Sequence, residues 1–251
     1  MSFWKMAEEL SAELEVSRET FYEATRIAIE EAFLEVSGIQ ECDVDLESKT
    51  LTAVFRVPED VSYDKAVEVD PDVAPRDLII VNYDLEDMPQ KVVKEFKMRF
   101  REVLFDLHAT EVYMKAKRLT RKVLRGVIDE AGKNYFEVIL PEEEIIALFP
   151  RRYWVKKEIR RYRKGVYLYF YVLYVKKEGA SVEVILSRRS KGLPEGYLKN
   201  LFPSHIFRCV FRRPGERSLV LTDMNTRDRS LREERKRLEW ELNEVVKLRP
   251  I

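Results

Sequence analysis

Histidine and glutamine are nearly missing from this chain. Two of each stand among 251 residues, as His108 and His205, Gln40 and Gln90. Cysteine is as scarce: Cys42 and Cys209 are too few for a disulfide framework. The four Cys and His residues are scattered, without the ligand spacing of a zinc site. With 8 glycines there is no glycine-rich phosphate loop, and neither HExxH nor GxSxG occurs. Long apolar runs are absent as well. The longest, residues 166–175, is half Tyr and Phe and falls far short of the roughly 20 residues a spanning helix needs. The first 35 residues are strewn with Glu, so no secretory leader is expected. These absences leave a cytoplasmic protein, not an enzyme, with no cofactor, no metal and no membrane partner, as the expectation.

Charge is what the chain has in excess. Asp, Glu, Lys and Arg make up 36% of it, against about 25% in ordinary globular proteins. That bias matches the ion-pair-rich surfaces of thermophile proteins. The apolar share of 45% is enough for a packed core. The formal net charge of zero conceals a division. Residues 1–90 hold 7 Lys and Arg against 23 Asp and Glu, and residues 91–251 hold 38 against 22. An acidic module joined to a nucleic-acid-binding one produces such a split.

Hydrophobic spacing assigns the elements. Ser17 reads as the N-cap of a helix whose Phe21, Ala24, Ala28 and Ala32 recur at helical intervals until Ser37-Gly38, after a shorter amphipathic stretch from Trp4 to Leu14. Alternation over residues 41–57 around Glu47-Ser48-Lys49-Thr50 reads as a hairpin, and residues 78–83 as a further strand. A long helix is expected from Met88 to about His108, with Val93, Phe96, Phe100, Val103 and Leu107 on its buried stripe. Five strands follow, at 122–129, 134–140, 145–149, 166–175 and 182–187, and they suggest a small OB-type barrel. In the fourth, Val166, Leu168, Phe170 and Val172 share one face. Tyr167, Tyr169 and Tyr171 then form a row outside, against a neighbouring domain or a ligand.

Between the third and fourth strands lie residues 151–164, in which eight of fourteen side chains are basic, one is acidic and three are aromatic. Cations neutralise phosphates and release counterions, and aromatic rings stack on unpaired bases. Arg151, Arg152, Tyr153, Lys156, Arg160 and Arg161 are therefore candidate RNA-binding residues. Acid pairs at Asp43/Asp45 and Asp70/Asp72 and the run Glu142-Glu143-Glu144 have the chemistry to hold Mg²⁺ in a nuclease. The first pair flanks Val44 on the polar face of a strand, the ordinary solvated pattern.

Several segments, in this order, resemble the NusA family of bacterial transcription elongation and termination factors. Residues 66–72 (Ala-Val-Glu-Val-Asp-Pro-Asp) resemble the acidic segment of that family's amino-terminal domain, and the helix ending Arg99-Phe100-Arg101-Glu102 its connecting helix. Residues 184–189, followed by Gly192-Leu193 and residues 198–202, resemble the junction of its S1 and first KH domains. Residues 213–218 (Arg-Pro-Gly-Glu-Arg-Ser) match its turn between two KH strands. The resemblance implies an α+β multidomain chain in three parts: a mixed helix–strand domain (1–110) that docks on RNA polymerase near the RNA exit channel, an S1-type barrel (111–190) and a degenerate KH-like remnant (191–251). It also implies that Lys94, Lys97, Arg99 and Arg101 approach the emerging RNA hairpin, and that Phe136 faces a base of nascent single-stranded RNA.

The chain departs from the family after residue 200, where no GxxG occurs. That loop clamps the nucleic-acid backbone, so RNA binding is expected chiefly in the barrel. The tail is read as a helix over 232–243 and a strand over 244–248. Leu231, Leu238, Leu242 and Val245 form its buried stripe, and its basic residues are offset by Glu233, Glu234 and Glu239. The expected function is a monomeric transcription elongation, termination or antitermination factor bridging RNA polymerase and nascent RNA. An S1-domain accessory protein of translation or RNA decay is the alternative, and a metal-dependent nuclease a distant third.

Overall fold

A computed structural model describes residues 7, 12, 14, 16–37, 41–56, 78–85 and 88–251. The acidic segment 66–72, with the pair Asp70/Asp72, and most of residues 4–14 lie outside the described residues. The chain divides into two compact units, Met1–Thr110 and Glu111–Ile251. No helix among the described residues is long and apolar enough to cross a membrane.

In the first unit, helix α1 (Arg18–Ser37) starts where Ser17 Oγ accepts the Thr20 amide at 3.1 Å, a capping contact that satisfies one free helix donor. Strands β1 (Glu41–Asp45), β2 (Thr50–Arg56) and β3 (Leu78–Asp84) form an antiparallel sheet in that order. The turn between β1 and β2 is closed by Asp45 Oδ1, which accepts the amides of Glu47 and Ser48. Asp43 and Asp45 are exposed on either side of buried Val44. Helix α2 runs over Gln90–Lys117, and the division between the units falls inside it. Its N-terminal half lays Val92, Phe96, Phe100 and Leu104 on a core shared with Ala24, Ala28, Ala32 and Phe33 of α1. The stripe is thus rotated from the expected one, for Val93, Val103 and Leu107 lie half-buried at its edge. The helix also outruns its expected end at His108, because residues 109–117 hold no glycine or proline to stop it. It ends at Lys117 in a series of turns, the last at Arg121 with a left-handed φ of 68°.

The second unit is built on a closed five-stranded barrel: β4 (Val123–Ala131), β5 (Tyr135–Leu140), β6 (Ile145–Pro150), β7 (Tyr167–Glu178) and β8 (Ser181–Ser187). The order around it is β4-β5-β6-β8-β7, with β7 closing on β4 and β6 running parallel to β8. Leu168, Phe170 and Val172 fill the inside with Val138, Phe149 and Leu186, and Ala116 and Leu119 join them from the helix end. Tyr169 and Tyr171 point the other way, onto a second core.

That second core belongs to a three-stranded sheet. Helix α3 (Gly192–Leu201) leads into β9 (Phe207–Arg213) and β10 (Arg217–Thr222), and helix α4 (Arg229–Leu242) into β11 (Val245–Pro250). The order is β11-β10-β9, antiparallel between β9 and β10 and parallel between β10 and β11. Leu193, Leu198, Val220, Leu231, Leu238, Leu242 and Val246 fill its core, and Val123 of the barrel joins them. Val245 is 53% exposed, contrary to the expected stripe. Asn243, at a left-handed φ of 48°, ends the helix, and the side-chain period changes from 3.6 to 2, which turns Val246 inward instead.

Candidate nucleic-acid interface

The basic segment 151–164 does not hang free. Pro150, at φ −67°, ends β6, and the chain winds into two short 3₁₀ turns, Arg151–Tyr153 and Lys156–Arg161. These turns sort the charges. Glu158, the single acid of the segment, is fully buried. It accepts the Tyr162 hydroxyl at 2.9 Å and two bonds from the guanidinium of fully buried Arg188, one of them at 3.1 Å. Burial, reinforced by the Glu158 carboxylate, pushes the Tyr162 phenol far above its ordinary pKa, so it remains a donor.

Arg188 has a second carboxylate. Its Nη1 donates to Glu241 Oε1 at 2.8 Å and to the Tyr169 carbonyl at 2.7 Å, and its Nη2 to the Glu241 carbonyl at 2.8 Å. Burial opposes the charge on Arg188, yet the two carboxylates outweigh it and hold its pKa above the usual value. A buried ion pair stabilises only when its remaining donors and acceptors are met, and here the surrounding backbone and Tyr162 meet them. Glu241 also takes Arg161 at 3.3 Å and the Tyr169 amide at 3.0 Å.

Glu244 repeats the device. Buried just past the same C-terminal end of α4, it accepts Arg212 Nε at 2.9 Å, the Gly215 amide at 2.9 Å and the Ser218 hydroxyl, fixing the 213–218 turn. Arg212 also donates to the Ser190 carbonyl.

With these acids turned inward, the cations face out. Arg151, Arg152, Lys156, Lys157, Arg189 and Arg213 converge on one cavity of 510 Å³, walled by Trp154, Val155, Ile159 and Pro214. Glu216 is the only acid on its lining, and it pairs with Arg213 at 3.3 Å. Arg152 is steadied by the Tyr174 hydroxyl at 2.7 Å and by the ring of Tyr153. Concentrated positive charge around a concave wall favours phosphate, and Trp154 beside it offers an apolar surface to a base.

The candidate residues separate into groups. Arg151, Arg152 and Lys156 line the cavity, and Arg160 is exposed beside it. Tyr153 is half-buried against the barrel core. Arg161 is tied to Glu241 and lies over the Trp240 ring at 4.9 Å. Phe136 is half-buried in an aromatic cluster, 4.7 Å from Trp154 and 6.0 Å from Tyr162 between ring centres, and its neighbour Tyr135 is more exposed, at 38%. In the first unit Lys94, Lys97 and Arg101 are exposed on α2. Arg99 turns elsewhere, to Glu95 at 3.0 Å, Glu31 at 3.6 Å and Glu35 at 3.7 Å.

Lys157, Arg189 and Arg213 were not singled out in the sequence. The signal available was the repeated Arg-Arg dipeptide, at 151–152, 160–161, 188–189 and 212–213. In a strand neighbours point to opposite faces, so in β9 Arg212 goes inward while Arg213 reaches the cavity, and in the bend after β8 Arg188 and Arg189 divide the same way. Elsewhere the chemistry is quiet. Burial raises the Cys42 and Cys209 thiols to about 11, which keeps both protonated at neutral pH. Among the described residues no three His, Cys, Asp or Glu side chains are grouped to hold a metal ion. No family model matches the chain, and no curated protein matches its sequence.

Proposed function

We propose that the second unit is a single-stranded RNA-binding module of the OB-barrel class, with the six-cation cavity as its phosphate site. Within that class the chain reads as a NusA-like transcription factor that bridges RNA polymerase and nascent RNA. The barrel then corresponds to an S1-type domain, the sheet with α3 and α4 to a KH-like remnant, and the acidic first unit to the polymerase-binding part. The observation that carries the RNA reading is the convergence of Arg151, Arg152, Lys156, Lys157, Arg189 and Arg213 from three separate segments on one cavity. A merely solvated charge run has no reason to gather cations from distant parts of the sequence. The transcriptional reading rests on the ordered family resemblance and on the charge division between the two units.

The test is charge reversal in the intact chain. Replacing Arg151, Arg152, Arg189 and Arg213 by Glu spares the buried network. It should lower affinity for single-stranded RNA at least about tenfold and reduce the log–log salt slope by roughly 0.7 for each phosphate no longer neutralised. An unchanged slope means the cavity binds no phosphate. The same variant should still bind core RNA polymerase. If neither it nor the parent chain does, the transcriptional reading falls and the accessory-protein reading replaces it.

A further inference from the structure

A second groove, of 660 Å³, opens on the outer side of the barrel between β4, β7 and helix α4. Two of its rings are unusually open: Trp240 is 76% exposed and Tyr167 is 51% exposed. Each is backed by a guanidinium. Arg161 lies over Trp240 at 4.9 Å and Arg125 over Tyr167 at 4.8 Å. Tyr169 and Tyr197, edge to face at 4.9 Å, also line the groove. An arginine stacked on one face of a ring, with solvent over the rest, is the arrangement in which an aromatic side chain receives a base.

The charge of α4 does not oppose this. By sequence the helix is nearly neutral and a poor phosphate ligand, but its acids are engaged. Glu233 pairs with Arg229, Glu234 with Arg237 and the Tyr197 hydroxyl, Glu239 accepts the Val246 amide, and Glu241 holds Arg188 and Arg161. Lys236 is left on the lining, beside Arg237 with its Glu234 partner. The groove and the first cavity share no lining residue, but a short stretch of chain links them. Ile159 lines the cavity, and two residues further on Arg161 covers Trp240, a span of at most about 7 Å along the chain.

We infer that Trp240 and Tyr167 form a base-stacking subsite that receives the unpaired RNA strand leaving the cation cavity, so that the carboxy-terminal helix is part of the RNA path. The inference rests on the RNA reading above. It is tested with the full chain and a fluorescein-labelled oligouridine long enough to span both sites, about 16 nucleotides. Trp240→Ala with Tyr167→Ala should weaken binding roughly tenfold or more per base unstacked. The salt slope and the thermal midpoint should not change, because neither a cation nor a buried side chain is removed. Trp240→Phe with Tyr167→Phe, which keeps a ring at each place, should recover most of the affinity. If the alanine pair binds like the parent while the cavity reversal weakens binding, the subsite is overturned and the RNA reading stands. If neither set weakens binding, both fall together.

Discussion

The two units handle their minority charge in opposite ways. In the acidic first unit the rarer arginines are held at the surface. Arg26 lies between Glu23 and Glu30 at 2.8 and 2.9 Å, and Arg99 among Glu95, Glu31 and Glu35. In the basic second unit three acids go inside, Glu158, Glu241 and Glu244, each meeting an arginine out of water. Only in the second unit does this make the exterior more one-sided, because each buried pair takes an acid out of the surface. The energetics differ. Exposed pairs of the first kind contribute about 0–1 kcal/mol. Removing one member of a buried pair strands its partner and costs several times more.

The comparison breaks most sharply at Arg188. Arg188→Met leaves Glu158 buried without a cation and Glu241 with Arg161 alone, and should destabilise the protein by about 3–5 kcal/mol. Thermal unfolding should show this as a midpoint lower by about 10 °C. Adding Glu158→Gln and Glu241→Gln in the same chain should restore a good part of that stability, since no fully buried charge is left without a partner. Arg26→Ala, the counterpart at the first unit's surface, should cost less than about 1 kcal/mol. Equal effects of Arg26→Ala and Arg188→Met would erase the distinction.

A smaller effect separates the cations of α2. Reversing Lys94, Lys97 and Arg101 to Glu should weaken RNA binding by the full chain several-fold at low salt, where exposed charges are least screened. Arg99→Ala should leave it unchanged, because that guanidinium is already held by three carboxylates. RNA titrations of both variants at one salt concentration decide the matter. A weakening with Arg99→Ala as large as with the triple reversal would mean that its ion pairs open for RNA.

Smallest is the cap of α4. Asp228 Oδ1 accepts the Ser230 amide at 2.8 Å and the Leu231 amide at 3.3 Å. These bonds, the Ser230 hydroxyl foremost, hold its pKa below the ordinary carboxylate value of 3.8. A lowered carboxylate pKa stabilises the fold above the unfolded value, and the stabilisation is lost as pH falls through the folded one. Asp228→Asn keeps a good cap without the titration. Its melting temperature should match the parent near neutral pH and decline less steeply below about pH 4. Asp228→Ala should lose roughly 2–4 °C at neutral pH.

The sequence was most legible where one face of an element is buried. Alternation located all five barrel strands within a few residues, and the inward set of Leu168, Phe170 and Val172 was readable because β7 has a wet side and a dry side. Helix α3 was invisible for the opposite reason. Two glycines and a proline in ten residues argue against a helix, yet packing demands them. A Cβ at Gly192 would meet the Tyr171 ring at 2.2 Å, and one at Gly196 would meet Val123 at 2.4 Å. Pro194 sits in the first turn, where its missing N–H is no loss. The basic segment announced itself by composition. Its site did not, because Arg189 and Arg213 come from distant parts of the sequence and net charge cannot tell an inward glutamate from an outward one.

Glu241 also sets a timetable. It lies 53 residues after Arg188 and 72 after Tyr169, the barrel groups that it serves. At ordinary rates of synthesis the first interval alone takes roughly 3–10 s. Until then a nascent barrel can close its strands and pair Arg188 with Glu158, but it holds a guanidinium with one carboxylate where two are required. The barrel's buried arginine is therefore fully paired only once the last helix is made, and a chain released before residue 241 lacks its second carboxylate.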